Sequence, residues 1–264
     1  MTTVSDILQF IESFAPSCMK EDWDRVGLNC GHLDAPVTKV LVALDPFAGV
    51  CQEAKEFGAE LLVTHHALIW NAGFVTDADA QGQNTLYLIE NKIACINAHT
   101  NLDCAPGGVN DILAQTLGLA DIQVITPKGI DNAGNPWGLL RMGTVKEQPL
   151  PSFLSNVKNA LRCKGLRYVD AGKSVRKVAV GGGACGGNMK EAIAAGCDTF
   201  VTADLKYNQF WDAKELGINL IDAGHYHTEN PVCTYLADKL QAKFPELMVK
   251  LSESHTDPMN FWVE

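Results

Sequence analysis

Short β-branched runs alternate with stretches of helical periodicity through most of the chain. Near the N-terminus Ile7, Leu8, Ile11 and Phe14 recur at helical spacing. KVLVAL (39–44) reads as a buried strand, 48–57 as a helix closed by Gly58, and ELLVTHH (60–66) as the next strand. A helical stretch around 83–91 leads into KIACINAH (92–99). Strands alternating with helices predict parallel βαβ units in an α/β layered fold. Ligands in such sheets collect beyond the carboxyl ends of strands, and here polar residues end the apolar runs.

The pattern then returns. Residues 39–64 align without a gap onto 177–202, so that KVLVAL faces KVAVGG and QEAKEFGAELLVT (52–64) faces KEAIAAGCDTFVT (190–202). Lys39/Lys177, Glu53/Glu191, Ala54/Ala192, Gly58/Gly196, Val63/Val201 and Thr64/Thr202 are identities at one constant offset. A third pair follows, with IACINAH (93–99) facing INLIDAGH (218–225). This order predicts an internal duplication: two related α/β lobes with a cleft between their equivalent ends. The Gly-, Pro- and Asn-rich stretch 125–148 is the expected boundary. It gives a first lobe 1–125 and a second lobe 126–229, with 230–264 packing back on the first.

Composition narrows the function. The chain has 264 residues, 47% hydrophobic and 20% charged, which excludes disorder and suffices for two lobes. A net charge of −10 lacks the electrostatic footprint of a non-specific nucleic-acid binder. No two of the nine cysteines stand three apart, so there is no C-x-x-C redox or thiolate-zinc pair. An odd cysteine count behind an N-terminus without a basic, apolar leader implies reduced thiols and a cytoplasmic protein. No stretch approaches the roughly 18 uninterrupted apolar residues of a membrane span.

The candidate chemistry lies in the histidines, of which there are seven. His32 and His255 read as surface or structural. The others fall in three segments at strand ends: VTHH (His65, His66), NAHTNLD (His99, Asp103) and DAGHYHTENP (His225, His227, Glu229). Successive side chains of a strand point to opposite faces. If His65 and His66 both bind metal, either the backbone turns there or they serve different ions. Pro231 suits a first helical turn and Thr228 an N-cap, placing Glu229 at a helix start and His225 in the turn before it. Imidazole with carboxylate and no thiolate suits zinc, iron, manganese or nickel. Two divalent ions would exceed the charge of Asp103 and Glu229, leaving room for a bridging hydroxide or an anionic ligand. That points to hydrolysis of a substrate carrying phosphate or a polarised carbon–nitrogen bond. A competing motif, G-x-G-x-x-G at Gly181, Gly183 and Gly186, follows a strand and precedes a helix, as a dinucleotide fingerprint would. Its repeat partner ALDPFAGV (43–50) has no phosphate-cradling glycines, so a tight turn with close backbone approach is the preferred reading.

With these residues in place, the chain resembles the GTP cyclohydrolase I type 2 homologues, also called the Nif-three-like dinuclear metal family. The matching segments are EDWDRVGLNCG (21–31), LLVTHHALIW (61–70), NAHTNLDCAPGGVND (97–111), VTADLKYNQF (201–210) and DAGHYHTENP (222–231), in the family's order. The resemblance implies a two-lobed α/β fold with a metal pair in the cleft, and a homohexamer. It implies His65, His66, Asp103, His225 and Glu229 as ligands of two divalent ions, with Glu229 bridging. It implies His99 beside the metals as an acid/base or substrate contact. Arg25 stands where the family usually has Asn, and Tyr207-Asn208 replaces a histidine-containing pair, which leaves the small-molecule, anionic substrate open. The expected function is a metal-dependent hydrolase of a nucleotide-like or phosphorylated molecule. The alternatives are a non-catalytic metal-binding scaffold and a dinucleotide-binding enzyme.

Overall fold

The computed structural model describes residues 1–71 and 73–262. The chain divides into two compact units, Met1–Leu102 with Val232–Thr256, and Asp103–Pro231 with Asp257–Glu264.

In the first unit, Thr3 caps α1 (Val4–Phe14): its hydroxyl accepts from the Asp6 amide while the Asp6 carboxylate accepts from the Thr3 amide. The five-stranded sheet runs β1 (Gly27–Cys30), β4 (Ala94–Asn97), β3 (Leu61–Thr64), β2 (Lys39–Ala43) and β13 (Met248–Leu251). All its pairings are parallel except β1 against β4. β3 is buried at every residue, as a central parallel strand covered on both faces should be. Around it lie α2 (Ala48–Phe57), α3 (Ala80–Glu90) and α10 (Pro231–Lys243). Helix α4 (Thr100–Cys104) carries the chain across the division into the second unit.

The second unit contains β5 (Ala120–Ile125), a short hairpin of β6 (Gly129–Ile130) and β7 (Pro136–Trp137), β8 (Leu140–Gln148), β9 (Arg167–Val169), β10 (Val175–Val180), β11 (Thr199–Thr202) and β12 (Asn219–Asp222). Its six-stranded sheet has the order β5-β8-β10-β11-β12-β9, with β10, β11 and β12 parallel. The helices are α5 (Val109–Thr116), α6 (Leu150–Ala160), α7 (Met189–Ala194), α8 (Tyr207–Leu216) and α9 (His225–Glu229). Composition predicts a boundary at residue 125; in the structure β5 pairs with β8 of the second sheet, and the units part at Leu102.

The aligned segments form the same strand–helix–strand unit, β2-α2-β3 and β10-α7-β11, down to its polar fixings. Lys39 donates to the Phe57 carbonyl at 3.1 Å and Lys177 to the Ala195 carbonyl at 2.7 Å. Gly58 and Gly196 take left-handed φ values of 75° and 78° where those helices stop. The Glu60 carboxylate accepts the Lys39 amide at 2.8 Å, and the Asp198 carboxylate accepts the Lys177 amide at 2.7 Å.

Glu53 anchors the C-terminal segment to α2. Its carboxylate accepts from the Ser252 hydroxyl at 2.6 Å, from the Glu253 and Ser254 amides at 3.0 Å, and from the Lys250 ammonium at 3.1 Å. Burial opposes its charge, but these donors bring its pKa down from 4.5 to about 2. Because the folded value lies below the unfolded one, the stabilisation is complete above the unfolded pKa and is lost as pH falls through the folded one. Glu53→Gln should therefore lower stability by about 2 kcal/mol at neutral pH. The gap from the parent protein should close as urea titrations are taken down from pH ~5 towards ~2; a gap independent of pH would refute this account.

Candidate metal centre

β3 ends at Thr64, whose hydroxyl donates to the His66 carbonyl at 2.7 Å and turns the chain out of strand alternation. His65 and His66 therefore lie with ring centroids 4.9 Å apart rather than on opposite faces. Together with His99 they could hold one ion, and each also belongs to a separate candidate group, His65 with Asp103 and Glu229 and His66 with His225 and Glu229. His99, two residues beyond β4, comes within 5.1 Å of the His65 ring and 5.5 Å of the His66 ring. All three are buried, and one ligand atom from each lies within 4.8 Å of the others.

Each of these imidazoles is oriented through Nδ1. His65 Nδ1 donates to the Ala98 carbonyl at 2.8 Å, which can only accept and so fixes that tautomer. His66 Nδ1 meets Asp45 at 2.6 Å and His99 Nδ1 meets Asp24 at 2.9 Å. In each case protein oxygen holds Nδ1 and Nε2 faces the other way, which is how oxygen partners orient histidine for a metal. Burial alone would raise the pKa of Asp24, but hydrogen bonds from His99 and Thr100 hold it well below the usual carboxylate range. Asp45 is depressed in the same way against burial, by His255 and His66, with His255 Nε2 at 2.7 Å from its other oxygen.

The second unit offers a carboxylate-rich set. Gly224, at φ 84°, starts α9 immediately, so His225 lies in the helix and not in a turn before it. Thr228 is inside α9, where its hydroxyl donates back to the His225 carbonyl at 2.9 Å; it is not an N-cap. Pro231 does open α10. Four residues apart on one helical turn, His225 Nε2 and Glu229 Oε2 stand 2.9 Å from each other. His225 Nδ1 meets Asp204 at 2.7 Å. Burial works against charge on His225, but Asp204 and Glu229 push its pKa up to about 10. This pair of acids calls for a positive charge at the imidazole, which a proton or a metal cation can supply. Asp103 is buried on α4, and the loop after it is pinned by the buried Arg141. That guanidinium donates to the carbonyls of Cys104 at 3.2 Å and Ala105 at 3.1 Å and pairs with Asp111 at 2.8 Å.

The glycine loop serves this set. A Cβ on Gly183, which has φ 61°, would lie 2.1 Å from Glu229 Oε1 and 3.0 Å from His225 Nε2. The Gly182 amide donates to Asn110 at 2.7 Å, the Gly183 amide to Thr228 at 3.0 Å and the Cys185 amide to Thr202 at 3.1 Å. Amides spent on protein acceptors cannot cradle a pyrophosphate, so close backbone approach explains the glycines. Burial pushes the Cys51 and Cys163 thiols up to about 12, which keeps them protonated, and the candidate groups among the described residues are made of imidazole and carboxylate alone. Imidazole and carboxylate groups in the structure could thus hold a metal ion.

The family model for Duf34/NIF3 (NGG1p interacting factor 3) matches residues 2–258. The chain belongs to this family. Among curated relatives of this Duf34/NIF3 protein, the GTP cyclohydrolase 1 type 2 homolog of Clostridium perfringens is 33% identical over 98% of this chain and 99% of its own. The Streptomyces coelicolor homolog is 34% identical over 98% of this chain and 94% of its own. A Bacillus cereus protein related to NIF3 superposes with a TM-score of 0.93 at 27% identity, covering 99% of each chain. Reduced HcgD from Methanocaldococcus jannaschii superposes with a TM-score of 0.80 at 28% identity, covering 96% of this chain and 98% of its own.

Within this Duf34/NIF3 chain, the sequence assigns no role to Asp24, Asp45 or Arg141; it offers Asp204 only as an acid at ribose-binding distance from the glycine motif and His255 only as a surface or structural residue, whereas Asp204 orients His225 and His255 supports Asp45. Asp45 follows the apolar run 39–44 directly, so the rule that polar residues end strands marks it. Arg141 carries no such signal, since nothing local reveals its burial. His227 faces away from the other ligand candidates of its helix, with Nδ1 3.1 Å from the Leu161 carbonyl and Nε2 3.1 Å from Asp257. His32 is exposed. Arg25 is exposed, and Tyr207, also exposed, opens α8 and accepts from Trp211 at 2.8 Å. No helix among the described residues is long and apolar enough to cross a membrane.

Proposed function

We propose that the protein is a divalent-metal-dependent hydrolase acting on a nucleotide-like or phosphorylated, anionic small molecule. The observation that carries this reading is the shared arrangement of His65, His66, His99 and His225. Each holds an oxygen partner at Nδ1, so that Nε2 is the nitrogen turned to the chemistry. His65, His66, Asp103, His225 and Glu229 would hold two ions, zinc, iron, manganese or nickel, with Glu229 bridging. Such ions supply Lewis acidity and lower the pKa of bound water. His99 exchanges the proton at Nε2, while the buried, ionised Asp24 fixes its ring and stabilises the imidazolium. The name of the relatives, GTP cyclohydrolase 1 type 2 homolog, favours a nucleotide as substrate. A homohexamer and a duplicated origin of the two units are part of the same reading, the latter supported by the matched lysine and carboxylate fixings.

The test is elemental analysis of protein purified without chelator or nickel resin, followed by hydrolysis assays on nucleotides and phosphoesters. Near two ions per chain with turnover is the expected result. His99→Ala should retain the ions and lose turnover by about 10²–10⁴-fold, the usual range for a general acid–base group. Two ions without turnover on any substrate would favour the non-catalytic scaffold, and no ions would overturn both.

His255 gives a separate expectation. It holds the oxygen of Asp45 that His66 does not, so His255→Ala should loosen the orientation of His66 and weaken metal binding about tenfold, as loss of an outer partner does. Competition against a chromophoric chelator measures this; unchanged affinity would mean that Asp45 needs no second support.

A further inference from the structure

Two tryptophans stand beside the histidine cluster with their surfaces largely open. Trp23 is 67% exposed and Trp70 46% exposed. Both meet the same imidazole: the Trp23 ring centroid lies 5.9 Å from that of His99 at 70°, and Trp70 lies 5.0 Å away at 87°. Trp70 also lies 6.1 Å from His66. Single exposed apolar residues are ordinary, but these two are carried on backbone that is fixed while the rings stay uncovered. The turn bearing Trp23 is tied by the Glu21 amide to Thr100 at 2.9 Å and by the Asp24 amide to the Glu21 carbonyl at 3.0 Å. Asp24, the next residue, is the acid that orients His99. The backbone bearing Trp70 is tied at three consecutive amides: Leu68 at 3.0 Å and Ile69 at 3.2 Å to Asn29, and Trp70 at 2.8 Å to Gln81. Hydrogen bonds thus fix the backbone bearing both indoles without burying the rings, which is the condition for a preorganised contact surface.

We propose that Trp23 and Trp70 form an aromatic clasp that stacks a planar heteroaromatic ring, a nucleobase or its like, next to His99. This rests on the reading of the histidine cluster as the reactive site and narrows its substrate class. Indole faces attract either cations or flat π-systems. A metal-loaded cluster is positive and disfavours a cationic ligand, so an uncharged flat ring with its anionic end towards the ions is the chemistry that fits both parts. The clasp then separates two jobs: the indoles select the ring, and His99 with the ions acts on the group attached to it.

The experiment is isothermal titration calorimetry with guanosine and with ribose, both uncharged, on the full-length protein as purified, with metal content measured on the same samples. Guanosine should bind at least about tenfold more tightly than ribose, in line with base–aromatic stacking. W23A and W70A should each weaken guanosine binding about tenfold, W23F and W70F by about threefold or less, and none should change metal content. Because both rings are exposed, these variants should fold, which melting curves check. Equal binding of guanosine and ribose, no guanosine binding at millimolar concentration, or alanine variants that bind like the parent would each overturn the clasp. Those results leave the hydrolase reading standing if the ions and turnover persist, whereas loss of ions with guanosine binding intact overturns the hydrolase and keeps the clasp.

Discussion

Glu229→Ala should reduce the metal content of the purified protein from near two ions per chain towards one or none, with affinity lowered by more than about 100-fold. The basis for that size is that loss of an outer partner alone costs 10–100-fold, and Glu229 is proposed as the ligand shared by both ions. It is only 3% exposed and stands 2.9 Å from His225 Nε2, and a neutral water in the space left by alanine would not return its charge. Two divalent ions need negative charge close by, and Glu229 and Asp103 are the proposed sources. His65→Ala removes one neutral imidazole and leaves that charge intact, so its effect should be smaller. Elemental analysis of both variants, purified side by side, decides the matter. A Glu229→Ala protein that keeps two ions per chain would end the bridging role.

Gly183→Ala is the second large expected effect, and it requires no change to any ligand. The new Cβ would enter the space of the Glu229 carboxylate, 2.1 Å from Oε1, in a backbone conformation at φ 61° that alanine adopts at a cost of about 1–2 kcal/mol. The backbone cannot yield easily, because the Gly182 and Gly183 amides are held by Asn110 and Thr228. Glu229 must therefore move, taking His225 with it. We expect stability to fall by about 2–4 kcal/mol and metal content to fall nearly as far as in Glu229→Ala. A Gly183→Ala protein with parental melting temperature and metal content would show that the loop is not a wall of the site. Gly187, with open space around it, is the control.

Much of this was legible in the sequence. Periodicity placed β2, α2, β3 and β4 to within a few residues, because strands buried on both faces read as continuous apolar runs. The Lys and Gly identities of the repeat proved to be local fixings of helix ends. The candidate ligands could be named since they sit just after strands or in the short helices that follow them, where parallel α/β sheets gather polar groups. Their supports could not. Asp24 is 75 residues from the histidine it orients, and His255 is 210 residues from Asp45. Those partnerships depend on tertiary closure, and no local pattern records them. Thr228 misled because a hydroxyl before proline resembles a cap, whereas Gly224 had already begun a helix four residues before the expected start.

The order of strands along the chain sets an order for synthesis. All strands of the six-stranded sheet have left the ribosome's peptidyl-transferase centre once Asp222 is added. The other sheet stays one strand short until Met248–Leu251, which pairs with a partner made some two hundred residues earlier, Lys39–Val42. Pairing across such a separation is slow, and domains made first generally fold first. Here the N-terminal unit is the one that waits. During translation β2 stays an open parallel edge, the kind of surface to which other unfinished chains can attach, until Met248–Leu251 arrives.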